Sequence, residues 1–204
     1  MPIEDIRPIK NALRAKYKQQ RQALPADVKE NWDSAIARRV RSLWQYTRCE
    51  WLLIYVSTPI EVDTHRLIVQ ALQDGKKVAV PRCIPGTREM EFYRITSMDQ
   101  LQIGSFGVLE PSPDPQNLVD KVSKALCVVP AFCYDRSGFR LGYGKGYYDR
   151  FLSTYEGRLI GICYQDCIIG RLPHGRYDRA VELVVTEQRL YKIEAKGGKG
   201  LDRK

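Results

Sequence analysis

The sequence predicts an α/β fold, a single domain built on an open, mostly parallel sheet flanked by helices on both faces. Short, nearly continuous apolar runs recur at 51–56 (WLLIYV), 77–81, 90–94, 125–130, 158–163 and 182–186. A strand that is apolar on both sides is one that is covered on both sides. Between these runs lie stretches of helical periodicity, and strands that alternate with helices build parallel sheets. With 204 residues, 44% hydrophobic and 28% charged, the chain has the size and balance of one such domain.

Taken in order, residues 3–23 place Ile6, Ile9, Leu13 and Tyr17 at helical spacing, with Lys10, Arg14, Lys18 and Arg21 at steps of three or four on a basic face. Pro25 and Asp27 open a second helix over 27–45, apolar at Val28, Trp32, Ile36, Val40, Leu43 and Trp44, with its arginines on the wet side. The strand at 51–56 leads to Glu61 and to a helix over 64–75 closed by a glycine. Two strands follow, at 77–81 and 90–94. Spans 82–89 and 97–124 read as connections, the second a long Pro-rich excursion that either borders a pocket or only connects. The strand at 125–130 precedes a glycine-rich segment, a helix over 147–155 and the last two strands. Ligands of open α/β sheets sit beyond the carboxyl ends of the strands, so Glu61 and the glycine-rich segment are expected on one edge. The domain is expected over 1–190, and the Gly- and Lys-rich tail, 191–204, is expected to be disordered.

No apolar run approaches the roughly 18 residues that cross a bilayer, and the first residues hold Glu4 and Asp5 rather than an apolar signal. The expectation is a cytoplasmic protein with no membrane partner, a monomer or weak dimer. The six cysteines fall largely inside apolar runs, as Cys127, Cys133 and Cys163 do, which suits buried free thiols. Cys163 and Cys167, with two histidines in the chain, do not make a zinc-ligand spacing. A formal charge of +9 raises nucleic-acid binding as a rival function, but no nucleic-acid-binding motif accompanies the cations.

The most informative stretch is GFRLGYGKGYYD, residues 138–149. Glycines 142, 144 and 146 free the backbone to bring N–H groups up to an anion, and Arg140 and Lys145 add positive charge. The helix that starts with Tyr147 turns its positive end the same way, and Asp149 could hold a divalent cation against a phosphate. The common phosphate motifs do not fit. A P-loop needs glycine where Phe139 stands and Ser or Thr where Gly146 stands, and the spacing G-x-G-x-G is not the dinucleotide fingerprint. Each residue also has a plainer reading. Lys10 and Arg14 suit a solvated helix face, Glu61 a helix cap, Asp149 a first-turn acid, and Tyr147 and Tyr148, being adjacent, point different ways.

The string from Arg140 to Asp149 resembles the pattern R-L-G-x-G-x-G-Y-Y-D of the 5-formyltetrahydrofolate cyclo-ligases, also called methenyltetrahydrofolate synthetases. Lys10 and Arg14 in KNALR, the segment IYVSTPIEVDT, the turn from Phe106 to Pro111 and VVPAF before the glycines match further landmarks, in order, over residues 10–187. The resemblance implies an ATP- and Mg²⁺-dependent conversion of 5-formyltetrahydrofolate to 5,10-methenyltetrahydrofolate. Lys10 and Arg14 would reach the ATP phosphates. Arg140, Leu141, Gly142, Tyr143, Gly144, Lys145, Gly146, Tyr147 and Tyr148 would wrap the nucleotide, with Lys145 and Arg140 offsetting charge on the transferred phosphoryl group. Asp149 and Asp178 would hold Mg²⁺, while Val56, Glu61, Tyr143 and Tyr147 would meet the folate. The segment RYDRAVE, with Glu182 at the second acidic position, departs from the family's H-D-V-P-L-D form. The alternatives are an ATP-dependent ligase for another substrate, a nucleic-acid-binding protein, or an ATP-independent isomerase or acyl-transferase on a similar sheet, for which no catalytic base can be placed.

Overall fold

The computed structural model describes residues 6–120, 122, 124–175 and 178–193. Helix α1 (Arg7–Gln22) opens with Pro8 in its first turn, where the missing N–H breaks no helical hydrogen bond. Its inward row is Lys10, Arg14, Tyr17 and Arg21, at i, i+4, i+7 and i+11. Tyr17 and Arg21 are buried, while Ile9, placed on the apolar face by periodicity, is 48% exposed. The surface under α1 explains this inversion. It presents an aspartate and backbone carbonyls, so the helix turns cations toward it. Helix α2 (Ala26–Ser42) stops at Leu43, whose extended ψ of 140° breaks the row before α3 (Trp44–Arg48). Out of phase after the break, Trp44 lies on the surface under the guanidinium of Arg158. Arg39, expected in solvent, donates to the carbonyls of Glu187 and Gln188.

The sheet then builds outward from its centre. β1 (Trp51–Ile54), α4 (His65–Gln73) and β2 (Lys77–Cys83) make the first parallel unit, and β3 (Met90–Ile95) returns antiparallel to β2. The expected connection over 97–124 is structured: β4 (Leu101–Ile103) and β5 (Leu109–Pro111) form a hairpin, and β6 (Leu118–Val119) pairs with β3. β7 (Ala125–Val129) returns beside β1. A hairpin of β8 (Cys133–Asp135) and β9 (Arg140–Leu141) precedes α5 (Tyr147–Thr154), β10 (Arg158–Ile162), β11 (Ile168–Ile169), β12 (Leu183–Val185) and β13 (Leu190–Lys192). The main sheet has the order β13-β12-β10-β7-β1-β2-β3-β6, with β12, β10, β7, β1 and β2 parallel. All five residues of β7 are buried, as its unbroken apolar run requires.

From β1 the chain steps one way to β2, and from β7 it steps the other way to β10. Right-handed crossovers in opposite directions put α4 and α5 on opposite faces. The strand order reverses between β1 and β7, and a crevice opens beyond the carboxyl ends at such a point. The tail boundary moves: Tyr191 and Lys192 pair with Val184 and Leu183, and the Tyr191 hydroxyl accepts from Gln165 Nε2 at 2.6 Å. Residues 194–204 of the expected tail lie outside the described residues. Among the described residues no helix is long and apolar enough to cross a membrane.

Candidate active site

Two segments leave the sheet at the reversal point. β1 runs on through buried Tyr55 and Val56 into a turn that closes on Glu61, which is 5% exposed. Glu61 Oε2 accepts from the Thr58 amide (2.7 Å) and hydroxyl (2.9 Å), and its Oε1 accepts from the Tyr143 hydroxyl (2.7 Å). Three donors offset part of the cost of burying the carboxylate. Glu61 is therefore no helix cap; Asp63 serves α4, accepting from the His65 amide at 3.1 Å. Burial and the nearby Glu61 carboxylate push the Tyr143 hydroxyl well up, so it stays a donor.

The second segment follows β7 through the β8–β9 hairpin, fastened by buried Asp135, which accepts from the amides of Ser137, Phe139 and Leu172. The glycine loop comes next. Gly144 and Gly146 hold φ of +81° and +83°, the left-handed region that other residues avoid, and Gly146 is the residue before α5. Arg14 braces this backbone. Its Nε donates to the Gly142 carbonyl at 2.8 Å, and its Cζ lies 3.1 Å from where a Cβ on Gly144 would stand. Arg21, 3% exposed, donates from Nη2 to the carbonyls of Ala131 and Phe132, both at 2.7 Å. Phe132 in turn packs on the Tyr143 ring, 4.4 Å between centroids.

A cavity of about 510 Å³ lies between the two segments. It is lined by Val56, Glu61, Arg140, Gly142, Tyr143, Gly144, Lys145, Gly146, Tyr147, Tyr148 and Asp149. Lys10, Arg14, Leu141 and Asp178 do not line it; Leu141 is buried in the core. Tyr147 and Tyr148, expected to part company, both border the cavity, and the buried Tyr148 hydroxyl has no partner among the described residues. Lys145 stands over the Phe106 ring, 5.4 Å from its centroid. Phe106 holds a φ of +59°, a strained backbone for a bulky residue, and Tyr147 meets its ring edge-on.

Arg140 sits at the acidic end of the site. Its side chain is 4% exposed, its Nη2 pairs with Asp149 Oδ1, and its Nη1 donates to the Arg179 carbonyl at 3.4 Å. The neighbouring residue, Asp178, uses Oδ2 to accept from Lys10 (3.2 Å) and from the Gly175 amide (2.9 Å). Each aspartate thus keeps one oxygen without a partner among the described residues. Among those residues no three His, Cys, Asp or Glu side chains gather as a metal cluster. Glu182, the other acidic position, is engaged elsewhere, with Arg158 (2.9 Å) and the Leu159 amide (3.3 Å). His174 stacks on Phe139.

Sequence reasoning did not single out Tyr55, Thr58, Cys83, Phe106 or Glu110 as site residues, and all five line the cavity. The available signals were the landmarks IYVSTPIEVDT, which holds Tyr55 and Thr58, and FGVLEP, which holds Phe106 and Glu110; only the folded sheet brings the second beside the glycine loop, and Cys83 lies in neither.

A family model described as "5-formyltetrahydrofolate cyclo-ligase family" matches residues 6–187. The chain is 30% identical to the "Probable 5-formyltetrahydrofolate cyclo-ligase" of Schizosaccharomyces pombe, covering 89% of this chain and 96% of that one. It is 24% identical to the "5-formyltetrahydrofolate cyclo-ligase" of Escherichia coli, over 85% of this chain and 98% of that one. Its structure resembles that of Aquifex aeolicus 5,10-methenyltetrahydrofolate synthetase, with a TM-score of 0.77 and 28% identity, covering 96% of this chain and 97% of that one.

Proposed function

Because the chain belongs to the 5-formyltetrahydrofolate cyclo-ligase family, we propose that it converts 5-formyltetrahydrofolate to 5,10-methenyltetrahydrofolate with ATP in the cavity between Glu61 and the glycine loop. One observation supports this most directly: a buried carboxylate and a cationic glycine loop line the same cavity, so an N–H-rich ring and a polyphosphate can be held side by side.

The chemistry follows from the substrate. Its N-formyl group is an amide, whose carbon is a poor electrophile and whose oxygen does not leave. Transfer of the γ-phosphoryl group of ATP to that oxygen forms an O–P bond, releases ADP and creates a leaving group. The neighbouring amine nitrogen then attacks the carbon. The new C–N bond closes the ring, the C–O bond breaks, phosphate departs with the electron pair, and the amine proton is lost. Such a sequence asks for positioning and charge stabilisation rather than a protein nucleophile.

The side chains divide accordingly. Glu61, held by Thr58 and Tyr143, accepts N–H groups of the pterin, with Val56 beside it and Tyr143 and Tyr147 on the folate side. Lys145 and Arg140 offset charge on the transferred group, and the loop amides meet the phosphates. Arg14 acts at one remove, keeping the loop in shape, and Lys10 does the same for Asp178. Asp149, on the cavity wall with one oxygen to spare, suits Mg²⁺ beside phosphate oxygens and water, and Asp178, outside that wall, would join through its remaining oxygen. The ion, when bound, would neutralise phosphate charge. The test is to mix the purified protein with 5-formyltetrahydrofolate and MgATP and follow methenyl product by its near-ultraviolet absorbance, beside an ATP-free control. ATP-dependent product is expected; nucleotide binding without product would point to another substrate.

A further inference from the structure

Glu110, at the centre of the short strand β5, is 4% exposed and lines the same cavity as Glu61. The two carboxylates are treated very differently. Glu61 accepts three hydrogen bonds of 2.7–2.9 Å. Glu110 accepts one long one, from the Cys83 amide to Oε1 at 3.3 Å, with the Cys83 thiol alongside. Among the described residues no Lys or Arg pairs with it. Oε2 has no hydrogen-bond partner among the described residues and the carboxylate lines the cavity, so its free acceptor positions are open to a ligand. The backbone also makes room for it: Gly104, across the β4–β5 hairpin, has no Cβ, and one placed there would run into Glu110 Oε2.

We propose that Glu110 is a second ligand carboxylate of the cavity, accepting an N–H of the folate substrate that Glu61 does not take. The assignment rests on the reaction proposed above. The reduced pteridine and its bridge amine carry N–H groups on more than one edge, so one carboxylate cannot satisfy them all. The nucleotide is the poorer occupant here. A carboxylate repels polyphosphate, and the cavity wall contributed by β2, β3 and β5 is apolar at Pro81, Met90 and Leu109, while Arg140 and Lys145, the latter over Phe106, come from the glycine-rich segment.

The test is the steady-state KM for 5-formyltetrahydrofolate at saturating MgATP, and for ATP at saturating folate, in the unsubstituted protein, Glu110→Ala and Glu110→Gln. Glu110→Ala is expected to raise the folate KM at least tenfold, with the ATP KM within about twofold, since a bond to a charged acceptor carries that much discrimination. Glu110→Gln keeps an acceptor oxygen and the hairpin, and is expected to raise the folate KM about threefold. A merely structural Glu110 would move both KM values together, or neither, and either result overturns the assignment. Should Glu110→Ala fail to fold, Glu110→Gln decides: an unchanged folate KM rejects the proposal. No turnover by the unsubstituted protein would instead overturn the reaction itself, and the assignment with it.

Discussion

Lys145 and Asp149 stand four residues apart on the wall of one cavity, and substitution of Lys145 separates catalysis from folding. Lys145→Met removes a charge that among the described residues meets the Phe106 ring and no carboxylate, so turnover is expected to fall at least about 100-fold with circular dichroism unchanged. Asp149→Ala should lose as much activity and leave Arg140 without its carboxylate. Full activity in both variants would remove the site assignment. Cys83 gives a second residue-level prediction. Of six free cysteines it alone is not buried, and burial followed by the charge of Glu110 pushes its thiol up to about 11. Because the thiolate is the nucleophile, iodoacetamide should label Cys83 selectively, at a rate still rising between pH 9 and 10.5, where an ordinary thiol has levelled off. A plateau near pH 9, read by mass spectrometry, would refute this environment. At this scale the string from Arg140 to Asp149 was legible because its residue types are themselves the chemistry. Glu110 was not, since nothing local distinguishes a carboxylate that faces a cavity from one that faces water.

Among the elements, α1 and the glycine loop depend on each other. Gly144→Ala would force a left-handed φ on a residue with a Cβ and press that atom on the Arg14 guanidinium, a cost of about 1–2 kcal/mol before any packing loss. Nucleotide affinity should fall, by fluorescence titration with MgATP, while Gly142→Ala, at a position without positive φ or a close neighbour, should fall less. Equal losses would mean that the loop is not braced as described. Periodicity placed α1 correctly, with Leu13 and Tyr17 turned inward, but missed that cations share that face. Apolar spacing chose Ile9, whereas the protein turned Lys10, Arg14 and Arg21 inward. Periodicity assumes an apolar surface beneath a helix, and the surface here is carbonyls and a carboxylate. The same limit explains Trp44, which continued the pattern of α2 on paper but falls beyond the break at Leu43.

For the molecule as a whole, Arg21 links the helical layer to the site. Its guanidinium satisfies two carbonyls just beyond β7 and packs near the rings of Phe132 and Tyr164. Arg21→Met would leave both carbonyls buried and unpaired, so a loss of about 2–4 kcal/mol in urea unfolding is expected, together with weaker substrate binding as Phe132 and Tyr143 loosen. A loss under 1 kcal/mol would show that the two bonds contribute little. Part of the basic charge that suggested nucleic acid is paired within the fold. Arg41 pairs with Asp74, Arg66 with Glu30, Lys124 with Glu50 and Arg158 with Glu182, while α1 turns its cations to the site. By itself the sequence determined the α/β class, the six main strands and the glycine loop with its cations, because apolar runs, helical spacing and glycine clusters are local signals that no distant contact rewrites. Only the tertiary structure decided which residues meet. The reversal of strand order between β1 and β7 opens the crevice, the β4–β5 hairpin carries Phe106 and Glu110 to its wall, and the inward face of α1 follows from the charge of the surface it covers; these are contacts between segments far apart in the chain, which spacing along it cannot encode.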